Sequence, residues 1–189
     1  GGNTWLANDI VVAPQPGGWD LGAGTAGGFG ILGINRCNGL PITCCDISNS
    51  PYRGYIYVNW VDSAGTRDRD VKVARSTDGG NTWGAPIRVN NDAAGKEQFL
   101  TWMTIDRATG HIYVVFYDRR NYTDVQTDVF LARSTNGGTT WINERISSSP
   151  FSPAAQYFFG DYSNITAHNG KVRPIWTRLV SGVLSVWTA

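Results

Sequence analysis

Apolar and polar residues alternate over short stretches of this chain, which is the period of a half-buried β-strand. The stretches are rich in Val, Ile, Tyr, Phe, Trp and Thr and end at Gly, Asn or Asp, and none has the spacing of an amphipathic helix. In the middle of the chain the pattern predicts strands over 99–105, 111–117, 127–134 and 141–146. We therefore expect an all-β fold built from units of four antiparallel strands.

This unit occurs more than once. Gly54-Tyr-Ile-Tyr-Val58 matches Gly110-His-Ile-Tyr-Val114, and Ser76-Thr-Asp-Gly-Gly-Asn-Thr-Trp83 matches Ser134-Thr-Asn-Gly-Gly-Thr-Thr-Trp141. A weaker third copy starts at Gly170, and the chain opens with the Gly-Gly-Asn-Thr-Trp that also ends the first motif. One such sheet cannot bury aromatic side chains on both of its faces, so we expect the sheets to stack, and radial stacking makes a propeller.

The eight-residue motif predicts a specific turn. The Asp78 carboxylate can accept hydrogen bonds from amides of its own turn, and Gly80 can adopt a positive φ. Trp83 can pack between neighbouring sheets, and we expect the same of Trp141 and Trp5 in the other copies. In the second copy Asn136 keeps the acceptor oxygen without the charge, so we expect a weaker turn that still folds. The residues that define the two turns are Ser76, Asp78, Gly80, Trp83, Ser134, Asn136, Gly138 and Trp141.

These motifs resemble the Asp-box, or bacterial neuraminidase repeat, of sialidase-like β-propellers, and the resemblance covers nearly the whole chain. Tyr117-Asp-Arg-Arg120 and Phe158-Phe-Gly-Asp-Tyr162 also resemble secreted bacterial members of this group. The resemblance implies about three four-stranded blades of a six-bladed ring. Its parts are a blade remnant at 1–16, a glycine-rich excursion at 17–35, blades at 36–92 and 93–149, and a partial blade at 150–189.

Three or so blades are fewer than the four to eight of a closed propeller. We expect the missing blades to come from a longer chain or from a second copy, or the open sheet to be capped by another molecule. The motif-like start at Gly1 favours a fragment. An uncovered blade face would expose apolar residues, so self-association through that face is also expected.

The direction of the strands predicts which face carries a binding site. Connections alternate between the two ends of an antiparallel sheet, so the eight-residue turns lie at one end and the loops after every second strand lie at the other. That second end gathers the candidate binding residues Asp62, Asp118, Arg119, Arg120 and Arg178. Arginine pairs well with carboxylates, which suits an acidic sugar. The same charged side chains can just as well form ion pairs within the protein that hold a loop against the next blade.

Catalysis is the less favoured interpretation. By resemblance, sialidase chemistry needs three arginines, a Tyr nucleophile partnered by a Glu, and an Asp as acid and base. The candidates here are Asp161, Tyr162, Arg119 and Arg120, while Glu97 sits in an ordinary loop sequence. We expect a non-catalytic, secreted or cell-surface module that binds a glycan or a protein or builds an extracellular assembly. The alternative is a fragment of an exo-sialidase-like glycoside hydrolase.

Composition excludes several other classes. The chain has 189 residues, of which 16% are charged, and a net charge of +1 without a basic stripe, so we expect no nucleic-acid partner. No apolar run is long enough to cross a membrane. His111 and His168 fall in separate elements, and we expect neither a metal site nor a cofactor. Four aspartates could offer oxygens to calcium but lack the spacing of a calcium loop: Asp68, Asp70, Asp124 and Asp128.

The three cysteines form one cluster in Cys-Asn-Gly-Leu-Pro-Ile-Thr-Cys-Cys. A disulfide from Cys37 to Cys44 or Cys45 would close this loop and would fit an exported protein. The sequence does not decide between the two pairings.

Overall fold

The computed structural model describes residues 5–15, 30–65 and 68–189, and within them the fold is all-β, as predicted. Three antiparallel sheets follow one another along the chain. The first contains β1 (Ile42–Cys45), β2 (Ile56–Gly65), β3 (Asp68–Ser76) and β4 (Ile87–Arg88). The second contains β5 (Gln98–Ile105), β6 (Ile112–Asp118), β7 (Asp128–Ser134) and β8 (Ile142–Arg145). The third contains β9 (Asn164–His168), β10 (Lys171–Val180) and β11 (Val183–Thr188).

The four strands predicted in the second unit are confirmed, but several loops are shorter than expected. Asp62 lies within β2 opposite Asp70, and Arg178 lies within β10 opposite Ser185. The turn after β10 contains only Ser181 and Gly182, both with positive φ. Two such residues match the right-handed twist of a hairpin, so the strands can remain paired up to the turn. The predicted excursion at 17–35 lies mostly outside the described residues.

The second sheet lies between the other two. Every residue of β6 is buried. On one side the Thr101 hydroxyl donates to the Asn59 side-chain oxygen of the first sheet at 2.9 Å. On the other side the Tyr117 hydroxyl bonds both the N–H and the carbonyl of Thr177 in the third sheet, at 2.8 and 2.9 Å. The aromatic and β-branched residues of the second sheet are therefore covered on both faces, which is why β6 has no polar alternation.

The two eight-residue turns adopt the same hydrogen bonds. In the first turn the Gly80 N–H donates to Ser76 Oγ at 2.8 Å, and the Thr82 N–H donates to Asp78 Oδ1 at 2.9 Å. The second turn repeats these bonds from Gly138 to Ser134 and from Thr140 to Asn136, at 2.9 and 3.0 Å. The amide oxygen of Asn136 thus replaces the carboxylate oxygen. Positive φ at both central glycines of each turn agrees with the sequence prediction.

The second turn also contacts the first sheet. Arg75 Nη1 donates to the Gly137 carbonyl at 2.7 Å and to the Thr139 hydroxyl at 2.9 Å. The Tyr52 ring lies so close to Gly137 that a Cβ built there would be 2.5 Å from Cδ1. This turn therefore connects neighbouring sheets as well as neighbouring strands.

One prediction about the tryptophans is wrong. Trp141 is half-buried against the core and Trp83 is half-buried, but Trp5 is 88% exposed. The described residues around Trp5 form no strand, so no sheet covers its ring. Residues 1–4, the rest of the partial motif, lie outside the described residues.

The predicted disulfide is not formed, since no bond joins any two of Cys37, Cys44 and Cys45. Cys37 is buried near Arg69 and Tyr117. Cys44 and Cys45 are consecutive residues of β1, so their side chains point to opposite faces of the sheet. The Cys44 thiol donates to the Met103 carbonyl at 3.3 Å, and burial raises its pKa to about 11, whereas Cys45 is exposed.

Candidate functional site at the end opposite the eight-residue turns

The predicted site residues lie at the end of the sheets away from the eight-residue turns. These turns follow β3 and β7, so they share one end with the last residues of β1, β5 and β9. The first residues of β1, β5 and β9 lie at the other end, together with the end of β6. Asp118, Arg119 and Arg120 therefore share an end with Asp161 and Tyr162, as strand parity predicted.

The Arg119 side chain is buried and pairs with groups inside the protein. Its side chain is 2% exposed, and Nη1 pairs with Glu97 Oε2 at 2.5 Å while Nε donates to the Thr127 hydroxyl at 3.1 Å. The guanidinium also lies over the Phe99 ring. Glu97, which the sequence placed in an ordinary loop, is thus a buried partner in an ion pair. Removing one partner from such a pair leaves a buried charge without compensation.

Arg69 lies beside this pair and is fully buried. Its N–H donates to the Lys96 carbonyl at 3.0 Å, which places it next to Glu97. Burial lowers the pKa of Arg69, although the neighbouring carboxylates of Glu97 and Asp68 act to raise it. No local sequence pattern marks this group, because its members come from three different segments.

Arg120 connects the first and second sheets. Its Nε donates to Asp118 Oδ2 at 2.9 Å, its Nη2 lies 2.7 Å from the same oxygen in the ion pair, and its Nη1 donates to the Asn91 side chain at 2.7 Å. Its guanidinium packs over the Phe130 ring at 4.1 Å. Burial raises the pKa of Asp118, although its bonds from Arg120 act to lower it. Both charges are therefore used inside the fold.

Arg178 and Asp62 are also engaged within the protein. Arg178 is 5% exposed, its Nη2 donates to the Ser149 hydroxyl at 3.0 Å, and its guanidinium lies over the rings of Phe151 and Trp187. Asp62 accepts the N–H of Ser63 at 2.8 Å at the end of its strand. The arginine-rich end of the sheets is thus held together largely by internal pairing.

Tyr162 is accessible at this end of the sheets, and Asp161 beside it is partly buried. The Asp161 carboxylate pairs with Arg36 Nε at 3.0 Å, and Tyr162 is 66% exposed. The Tyr162 ring meets the Trp102 ring edge to face, with centroids 6.3 Å apart. Two cavities, of about 290 and 150 Å³, lie beside this pair, and both rings line both cavities. We call the two cavities and the ring pair the aromatic groove.

The aromatic groove is built from all three sheets. The larger cavity reaches Trp176 and Thr177 of the third sheet, and the smaller one reaches Pro41 and Ile42 at the start of the first sheet. Aromatic walls with a few polar groups are typical of small-molecule sites. The sequence analysis found Tyr162 and Asp161 but missed Trp102 and Trp176, since nothing in the local pattern distinguishes a groove-lining Trp from a core Trp.

A β-bulge decides where Trp102 points. Phe99 pairs with Tyr117, but Trp102 pairs with Val115, so Leu100 and Thr101 together oppose a single residue of β6. This extra residue puts Trp102 on the same face as Phe99 and Tyr117, the face that meets the third sheet. Leu100 has a φ of +48°, which is rare for a branched side chain. Such strain is concentrated at functional sites, and Leu100 lines the smaller cavity of the groove.

A separate polar cavity of about 210 Å³ lies beside Lys96, Glu97, Arg119 and Tyr122. Its charges are largely satisfied by the protein, since Arg119 pairs with Glu97 and Lys96 Nζ donates to the Tyr122 carbonyl at 2.5 Å. Its ability to bind a charged ligand is reduced accordingly.

Within the described residues, no group of three or more His, Cys, Asp or Glu side chains is placed to hold a metal ion. Asp70 already forms an ion pair with Arg88, with 2.6 Å between Oδ1 and Nε, and Asp128 accepts the Ser147 hydroxyl at 2.9 Å. Those two carboxylates are used by the protein itself. No described helix has the length and apolar character needed to cross a membrane.

A scan against protein-family models finds no match, and a search of curated proteins finds none either. The inference of function therefore depends on the geometry above and on the resemblance carried by the eight-residue turns.

Proposed function

We propose that this chain forms blades of an Asp-box β-propeller. Three observations support the proposal: the two turns share their hydrogen bonds, the units repeat as sheets of three or four strands, and the sheets pack through their faces. The contact of Arg75 and Tyr52 with the second turn supports the expected role of this motif between blades.

The aromatic groove is the proposed binding site, and its ligand is a glycan. The observation that carries this proposal is the exposed Tyr162 ring against Trp102, between two cavities. The faces of sugar rings carry C–H groups that pack on aromatic rings, while their hydroxyls bond polar side chains at the edges. Trp and Tyr are also the residues that most often dominate binding energy.

The proposed module binds without hydrolysis. A sialidase-like mechanism would require arginines free to hold a carboxylate, whereas Arg119, Arg120 and Arg178 are each engaged with protein groups. Glu97 is paired with Arg119, so it is not free to activate a tyrosine. A secreted or cell-surface location completes the proposal and rests on the family resemblance alone.

Glycan-array binding and calorimetry of the whole chain test this function. Trp102→Ala and Tyr162→Ala should each weaken binding at least tenfold, because each removes one ring of the pair. Ile142→Ser is the matched control, since Ile142 is 64% exposed on β8 and does not line the groove. Unchanged binding in both aromatic variants would refute the proposed site, and release of sialic acid from a fluorogenic sialoside would favour the hydrolase alternative.

Association through a sheet face is a second candidate function. Val183 is 62% exposed and its cross-strand partner Val180 is 41% exposed on the third sheet, and neither lines the aromatic groove. Exposed apolar patches of this kind mark interaction surfaces. Light scattering would test it: the chain should self-associate with rising concentration, and Val183→Lys, at a residue outside the groove, should reduce this association. A monomer at all concentrations would exclude self-association.

A further inference from the structure

The charge of the aromatic groove restricts its ligand. Among the described residues that line the two cavities, Asp161 is the only one with a formal charge, and no Lys or Arg is included. The nearest paired cation, Arg36, contacts Asp161 through Nε at 3.0 Å and does not itself line either cavity. A sugar carboxylate placed here would thus meet no cation of the lining, and the guanidinium of Arg36 is already paired with Asp161.

The other polar groups of the groove are uncharged. Asn164 lines the larger cavity and adds an amide. This amide and the Tyr162 hydroxyl suit sugar hydroxyls, which both donate and accept hydrogen bonds.

The position of the two rings sets a minimum length for the ligand. Trp102 and Tyr162 lie between the cavities and line both, so a ligand that fills both must pass over the ring pair. A single sugar ring on the pair would leave the cavities empty. A linked sugar unit on each side would fill them.

We propose that the aromatic groove binds an uncharged oligosaccharide of at least two sugar units and discriminates against acidic sugars. This inference rests on the proposed glycan-binding function and departs from the acidic ligand that the arginine-rich sequence suggested. Asp161 carries the discrimination, because it occupies the guanidinium of Arg36, so a ligand carboxylate would lose its water at the groove without gaining a counter-charge.

The experiment compares matched glycans on the whole chain. An array of neutral oligosaccharides and their sialylated counterparts, followed by calorimetry with the best neutral binder, should show at least a tenfold preference for the neutral members. The monosaccharide of the same sugar should bind at least tenfold more weakly than its disaccharide. Asp161→Asn should narrow the ratio of neutral to acidic affinity, and Asn164→Ala should weaken neutral binding by removing an amide from the larger cavity. Ile142→Ser should change neither the ratio nor the neutral affinity.

The outcomes separate the two proposals. Stronger binding of sialylated glycans, with loss in Trp102→Ala, would overturn the neutral-ligand inference and leave glycan binding standing. Equal binding of monosaccharide and disaccharide would overturn the two-unit assignment. Binding to no glycan on the array would overturn both, and binding of a protein partner blocked by Tyr162→Ala would reassign the groove. Circular dichroism of each variant checks that a loss of binding is not a loss of folding.

Discussion

A matched pair of glycine substitutions can measure the contact between the second eight-residue turn and the first sheet. Gly79 and Gly137 occupy the same position in the two turns and have similar backbone angles, with φ of +73° and +65°. An added Cβ at Gly79 would meet nothing within 4 Å, whereas at Gly137 it would lie 2.5 Å from the Tyr52 ring. The two substitutions to alanine therefore share the backbone cost and differ in the contact between sheets.

The magnitudes follow from these two terms. A left-handed backbone costs an alanine about 1–2 kcal/mol, so Gly79→Ala should lower the free energy of unfolding by about that amount. Forcing the Tyr52 ring aside should add about 1–3 kcal/mol in Gly137→Ala. At about 2–4 °C per kcal/mol for a chain of this size, the variants should differ by several degrees in Tm.

Urea and thermal unfolding of the two variants provide the assay. Tyr52→Ala should remove the obstacle, so Gly137→Ala should cost about 1–3 kcal/mol less in the Tyr52→Ala background than in the wild type. The same background should not alter the cost of Gly79→Ala. Equal destabilisation by the two glycine variants, or no rescue by Tyr52→Ala, would show that the turn does not dock on the first sheet as described.

Three further predictions concern hydrogen bonds and ion pairs that stabilise the fold. Arg75→Ala should lower the free energy of unfolding by about 1–3 kcal/mol, because it removes two hydrogen bonds to the second turn. Arg133→Ala, at the equivalent but exposed position, should change the free energy of unfolding by less than about 0.5 kcal/mol. Equal effects of the two variants in urea unfolding would contradict this role of Arg75. Glu97→Gln should cost about 3–5 kcal/mol by leaving Arg119 buried without its counter-charge, and a change below about 1 kcal/mol in the same assay would argue against the buried pair. Burial raises the pKa of Asp106, but amide N–H bonds from Gly170 and its neighbours lower it to about 2. The folded state therefore favours the ionised Asp106 carboxylate. Its contribution to the free energy of unfolding, on the order of 2 kcal/mol, is complete above about pH 4 and is lost as pH falls through 2. The Asp106→Asn variant should be less stable than the wild type at pH 7 and should lose less unfolding free energy between pH 4 and 2. Parallel curves of unfolding free energy against pH for the two proteins would refute this role of Asp106.

The sequence by itself determined the local structure. Alternation of apolar and polar residues, with Gly, Asn and Asp at the ends, set the strands of the second sheet to within one or two residues. The eight-residue turns were also readable, since the side-chain acceptor, the hydroxyl of Ser76 and the paired glycines act within one short segment. Interactions of this range need no knowledge of what packs nearby.

The sequence also indicated which end of the sheets would gather Asp118, Arg119 and Tyr162, because strand direction alternates in a fixed way. It could not say which of these charges are used by the protein. Arg119 is paired with Glu97 from a different segment, and Trp5, which shares its motif with Trp83, is exposed rather than packed against one of the described sheets.

Only the tertiary structure decided the aromatic groove. Trp102, Tyr162 and Trp176 come from three separate strands or loops, and the one-residue bulge at Leu100 turns Trp102 to the face of the third sheet. A shift of one residue reverses the direction of every following side chain, yet it leaves the composition and the strand pattern almost unchanged. The position of a side chain in space depends on register and packing between distant segments, and these are set by the folded chain as a whole.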